Sequence, residues 1–217
     1  QQLRVLHRFS ADYGDNLCSV PVFASEFSAL QHEYPILVQH KQQDDSYQAV
    51  ALLGLAAEEN LYLNPQLANG WDGRYIPALI EKGPFRIGFQ QARQTEPEAV
   101  VHIDLAHPKV NQQYGQQLFL PQGGNSPYLQ HIADTLQRIQ RGMAMSGPLF
   151  SVFARLNLLQ PVNIEYSLHN GEKHRLSGYY CINSDALATL RGPELEQLHQ
   201  AGFLQLAIAM QSSLRHI

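Results

Sequence analysis

VNIEYSLHNGEKHRLSGYYCI, residues 162–182, places an Asn-Gly pair between two strand-length runs. Both residues of that pair accept positive φ, which a tight reversal requires, so the stretch predicts a β-hairpin with arms at 162–168 and 173–182 and a turn at 169–172. A second hairpin is predicted upstream, where the apolar segments 36–40 and 48–55 flank the polar KQQDDS turn. Gly54 would weaken a strand interior and so marks a bulge or a close backbone approach. Residues 3–9 read as a first strand. Residues 23–32 read as a short helix that stops at Tyr34-Pro35, because proline disfavours helix in the residue before it. Residues 85–89 and 99–105 have strand length and flank the polar QQARQTEPE loop, so they are expected to share a sheet.

The rest of the chain reads as helix. Residues 74–82 form a short candidate with Pro77 near its first turn, where a missing N–H is tolerated. Ser126-Pro127 opens an amphipathic helix in which Leu129, Ile132, Ala133, Leu136 and Ile139 recur every three or four residues. A second helix is predicted from about 148 to 159, before Pro161. Ser184 is expected to cap a helix through 190, Pro193 to open one through 200 that ends at Gly202, and 203–214 to complete a helical tail. The sum is an α+β fold in one domain, 1–217: a largely antiparallel sheet from the first half and the C-terminal hairpin, covered by the central and C-terminal helices.

Composition narrows the function classes. With 15 Lys+Arg against 19 Asp+Glu the formal charge is -4, and the basic residues are scattered, so the footprint of a nucleic-acid binder is missing. No apolar run approaches the ~20 residues of a membrane span. The first residues lack the apolar core of a secretory signal, which implies a cytoplasmic protein. Cys18 and Cys181 form no CxxC and read as small apolar side chains.

Two groups of residues invite a functional reading. Trp71, Asp72, Arg74, Tyr75 and Pro77 combine stacking surfaces, a charge-assisted donor and a rigid proline, as a ligand- or partner-binding loop would. The same spacing also suits a structural plug, with Trp71 and Tyr75 packed on the sheet and Asp72 capping the short helix. In VVHIDLAHP, His102 and Asp104 alternate on a strand and offer two ligands of a two-histidine, one-carboxylate metal site; His107, before Pro108, reads as opening a loop. Gly123-Gly124-Asn125-Ser126 matches neither nucleotide fingerprint and reads as a turn with a helix cap. No serine elbow points to nucleophilic catalysis.

Four stretches carry a family resemblance: PVFASEFSALQHEYPILV (21–38), LLGLAAEENLYL (52–63) with WDGRYIPALIEKGPF (71–85), QLFLPQGGNSPYL (117–129), and AGFLQLAIAMQSSL (201–214). In this wording and order the chain resembles the SapC family. The resemblance implies a bacterial protein of the kind tied to surface layers, an accessory or binding component in surface assembly, export or uptake. It implies no cofactor and no established reaction. The expected partner is an unidentified small ligand, peptide or protein, with self-association through sheet edges as a further expectation. The alternative is a metal-dependent oxygenase or hydrolase built on His102 and Asp104.

Overall fold

The computed structural model describes residues 3–90, 98–167 and 173–217. In chain order the described elements are β1 (Arg4–Val5), β2 (Ser19–Pro21), α1 (Phe27–Leu30), β3 (Ile36–Lys41), β4 (Ser46–Leu52), α2 (Ala78–Glu81), β5 (Phe85–Gln90) and β6 (Glu98–Ile103). They continue with β7 (Val110–Asn111), β8 (Gln116–Gln117), α3 (Pro127–Arg155), β9 (Leu159–Ser167), β10 (Lys173–Ile182), α4 (Ser184–Thr189), α5 (Pro193–Gln200) and α6 (Phe203–Ser213). The fold is α+β, and the strands pair antiparallel. Two compact units emerge, one from Gln1–Asn16 with Leu61–Gln140, the other from Leu17–Asn60 with Arg141–Ile217.

The second unit holds a five-stranded sheet in the order β2-β4-β3-β10-β9. Both expected hairpins lie in it. Leu37 opposes Val50 in β3/β4, and Tyr179 opposes Val162 in β10/β9, so alternate side chains from four strands meet on one face. Leu37, Val50, Leu52, Ile164, Tyr179 and Cys181 form that apolar cluster. A register shift between Leu176 and Tyr179 marks a bulge in the second hairpin; its turn at 169–172 lies outside the described residues. α6 packs against β3 and β10. The buried Ser213 hydroxyl accepts from the Ile36 N–H at 2.9 Å and donates to the Met210 carbonyl at 2.6 Å, which ties the helix end to β3. Gly54 is a close approach: a Cβ there would strike the Glu59 carbonyl.

The first unit contains a two-stranded ribbon, β5-β6, and a small sheet of order β7-β1-β8. Residues 85–90 and 98–103 therefore pair with each other but stay outside the five-stranded sheet, and most of the loop between them lies outside the described residues.

Several local expectations are corrected. Of residues 3–9 only Arg4–Val5 are strand, because the Leu6 and Phe9 N–H groups donate instead to the loop carbonyls of Lys109 and Asn69. The two helices expected around Ile139 and Pro148 are one helix, Pro127–Arg155, with Pro148 inside it. Pro148 is exposed, whereas Leu149, Phe150 and Phe153 beside it are buried, and their burial outweighs the single missing N–H. The chain leaves α3 through Asn157 in the left-handed region, φ 53, and enters β9 two residues later. α2 covers only Ala78–Glu81, with Pro77 at its N-cap. The cap of α4 is Asn183 rather than Ser184: the Asn183 side chain accepts from the Ala186 N–H.

Candidate functional site

Residues 71–84 belong to the first unit and are held from behind by aromatic packing. Trp71 bridges to Leu63 and is only 2% exposed. Its indole stacks on Tyr62 at 5.9 Å, with the planes 14° apart, and meets the Phe9 ring edge-on at 5.7 Å. The Trp71 N–H donates to the Asn69 side chain, and the Asp72 N–H donates to the Tyr62 carbonyl. Gly70 sits at φ 79, where a Cβ would strike the Phe9 carbonyl, so this reversal needs glycine. The indole is therefore scaffold, as the plug reading of this spacing has it, and is not open to a ligand as an anchor.

Asp72 and Arg74 are exposed, Tyr75 is half-buried and Pro77 is buried. Asp72 does not cap α2; its carboxylate accepts from the Asn64 side-chain amide at 3.2 Å. The Tyr75 hydroxyl accepts from the Arg138 guanidinium at 2.9 Å, and the guanidinium carbon lies 5.9 Å from the Tyr75 ring centroid. Arg138 lies on α3, two helical turns beyond His131, so the two side chains share one face.

His131 makes a contact that cannot be read from sequence spacing. Its Nε2 donates to Glu81 Oε1 at 2.7 Å, and His7 Nε2 donates to the same oxygen at 3.1 Å. Glu81 is 8% exposed. Burial pushes its pKa up, but the hydrogen bonds from His7 and His131 and their charges outweigh burial and hold the carboxyl below its ordinary range. Tyr128 packs beside it, 5.8 Å from the His7 ring and 6.2 Å from the Phe85 ring; burial and then the Glu81 charge raise its phenol pKa. Glu81, His7 and His131 are 50 and 74 residues apart along the chain, so no local motif announces them.

The His102 region is occupied differently from the metal reading. His102 opposes Arg86 across the ribbon, and its ring lies over Gly88, where a Cβ would strike it. Asp104 Oδ1 accepts from the Ala106 N–H at 3.0 Å, and His107 Nδ1 accepts from the Lys109 N–H at 3.1 Å, so one atom of each is engaged in the turn that leaves the strand. Burial, then the Lys109 charge, lowers the His107 pKa. Lys109 itself forms a buried ion pair with Asp15, 3.0 Å, beneath the Phe9 ring. Among the described residues no group of three His, Cys, Asp or Glu side chains is placed to hold a metal ion. Among them, too, no helix is long and apolar enough to cross a membrane.

The surface at Arg74, Tyr75 and Arg138 thus carries guanidinium groups and one aromatic ring on a segment anchored by the buried Trp71. That chemistry suits recognition of an anionic or polar group, and it contains no nucleophile with an adjacent base. Neither the search of curated proteins nor the search of solved structures finds a match. The SapC family model matches residues 1–217, the whole chain, and the protein belongs to the SapC family.

Proposed function

We propose that the protein is a non-catalytic accessory or binding component of bacterial surface assembly, export or uptake, whose partner docks on residues 71–77. The observation that carries this reading is the contrast within one short segment: Trp71 is locked in the core, while Asp72 and Arg74 three residues on stand exposed beside the Tyr75–Arg138 pair. A rigid segment presents its polar side chains with little ordering cost, which favours affinity. Arg74 supplies charge-assisted hydrogen bonds, Tyr75 a face for stacking, and Pro77 the fixed exit from the segment.

A photo-crosslinking residue at the exposed position 72, installed in the cells that make the protein, tests the reading. It should capture one species that the same group at the exposed Ile208 does not. Exchanging the Arg74 charge for glutamate should suppress that capture. Equal capture from positions 72 and 208, or capture indifferent to the charge at 74, removes the assignment.

A further inference from the structure

The second unit carries a cleft of about 400 Å³ between the β3–β4 turn and α3. Its rim and walls include Asp45, Ser46 and Tyr47 on one side and Ser146, Gly147 and Ser151 on the other. The volume falls in the range of small-ligand sites. Its aromatic wall is fixed in place. The Tyr47 ring is held by Phe150 at 6.3 Å, by Tyr180 edge-on at 5.7 Å and by His40 at 4.8 Å.

The polar groups are hydroxyls and one carboxylate, with the Tyr47 and Ser151 hydroxyls able to donate and accept. The Ser46 hydroxyl donates to Asp44 at 2.6 Å and the Ser146 hydroxyl to the Gly142 carbonyl at 2.9 Å, so each turns only oxygen lone pairs outward. Asp45 is an acceptor as well, with Oδ1 taking the His40 Nε2 proton at 2.7 Å. No lysine or arginine is among the lining residues. An anion finds no cationic side chain here and meets the Asp45 carboxylate. A cation finds one carboxylate already shared with His40, whereas a polyol finds acceptors spread around the rim and an aromatic face for its C–H groups.

Gly147 adds an independent observation. Glycine weakens a helix interior relative to alanine, and Pro148 follows it. Apart from its chain neighbours, of which Pro148 disfavours helix in a residue that carries a Cβ, a Cβ at Gly147 would meet nothing within 4 Å. Its φ is not in the left-handed region either. The missing side chain leaves the cleft open.

We infer that this cleft binds a neutral sugar ring, stacked against Tyr47 and hydrogen-bonded through its hydroxyls to Asp45, Ser46 and Ser146. Saturation-transfer NMR on the full chain tests it with glucose, galactose, mannose and N-acetylglucosamine, and with tetramethylammonium as the cationic comparison. At least one sugar should receive saturation on its ring C–H protons. The transfer should vanish in Gly147→Leu, whose side chain enters the cleft; because Pro148 disfavours helix in a preceding residue that carries a Cβ, its thermal unfolding is measured to establish that it is folded. Ser151→Phe, at an exposed helical position, is the second blocking variant. Silence from all four sugars overturns the inference, as does transfer that persists in either folded variant, or transfer to tetramethylammonium alone.

Discussion

Trp71 and Arg74 lie three positions apart and have opposite fates, and the difference is burial. Trp71→Ala removes a core indole and should cost about 3–5 kcal/mol in urea unfolding. Arg74→Ala, on the surface, should stay within about 0.5 kcal/mol while abolishing capture from the neighbouring segment; a large stability loss would make Arg74 scaffold as well. Glu81 makes a prediction in pH. Its folded-state pKa lies below the unfolded value, so its stabilisation is complete above about pH 4.3 and is lost as pH falls through the folded value. Between about pH 5 and 3 the parent should lose more stability than Glu81→Gln, which keeps an acceptor for His7 and His131 but cannot titrate. Parallel losses would mean that the clasp has no charge component. Trp71 was legible as important from its aromatic neighbours, but its direction was not, because a four-residue spacing is shared by anchors and plugs. The contact of Glu81 with His7 and His131 was not legible, since three separate segments must fold before those atoms meet.

At the scale of elements, α3 shows where local rules stop. The proline at 127 opens the helix as expected, whereas the proline at 148 sits inside it. Pro148 offers no N–H to the Ala144 carbonyl, a loss that the buried Leu149, Phe150 and Phe153 offset. Pro148→Ala should therefore stabilise the protein by about 1–3 kcal/mol in chemical denaturation. A destabilised variant would show that the proline is needed for the path of the helix. The hairpins were readable because period-2 alternation and turn chemistry are local, and Gly54 because a glycine next to a strand signals a close approach. The first strand was overread: its apolar residues are genuine, but Leu6 and Phe9 bond to loops that sequence order does not bring near.

Across the whole molecule, the five-stranded sheet ends in β2 and β9, and such edges invite association. Pro161 lies on β9 and lacks the N–H that an added strand would need. Pro161→Val should increase concentration-dependent association in light scattering, and identical scattering from both proteins would show that the proline does not guard this edge. Length, composition and the quoted stretches determined the α+β class, the two sheet hairpins, the helical C-terminal part and the family, because each rests on periodicity or wording carried by neighbouring residues. Only the tertiary structure decided that the described strands divide among three sheets, that the indole of Trp71 faces inward, that Glu81 holds two histidines and that Tyr47 and Gly147 border one cleft. Those outcomes depend on which distant segments exclude water together, and a one-dimensional pattern does not encode which of several apolar faces will meet.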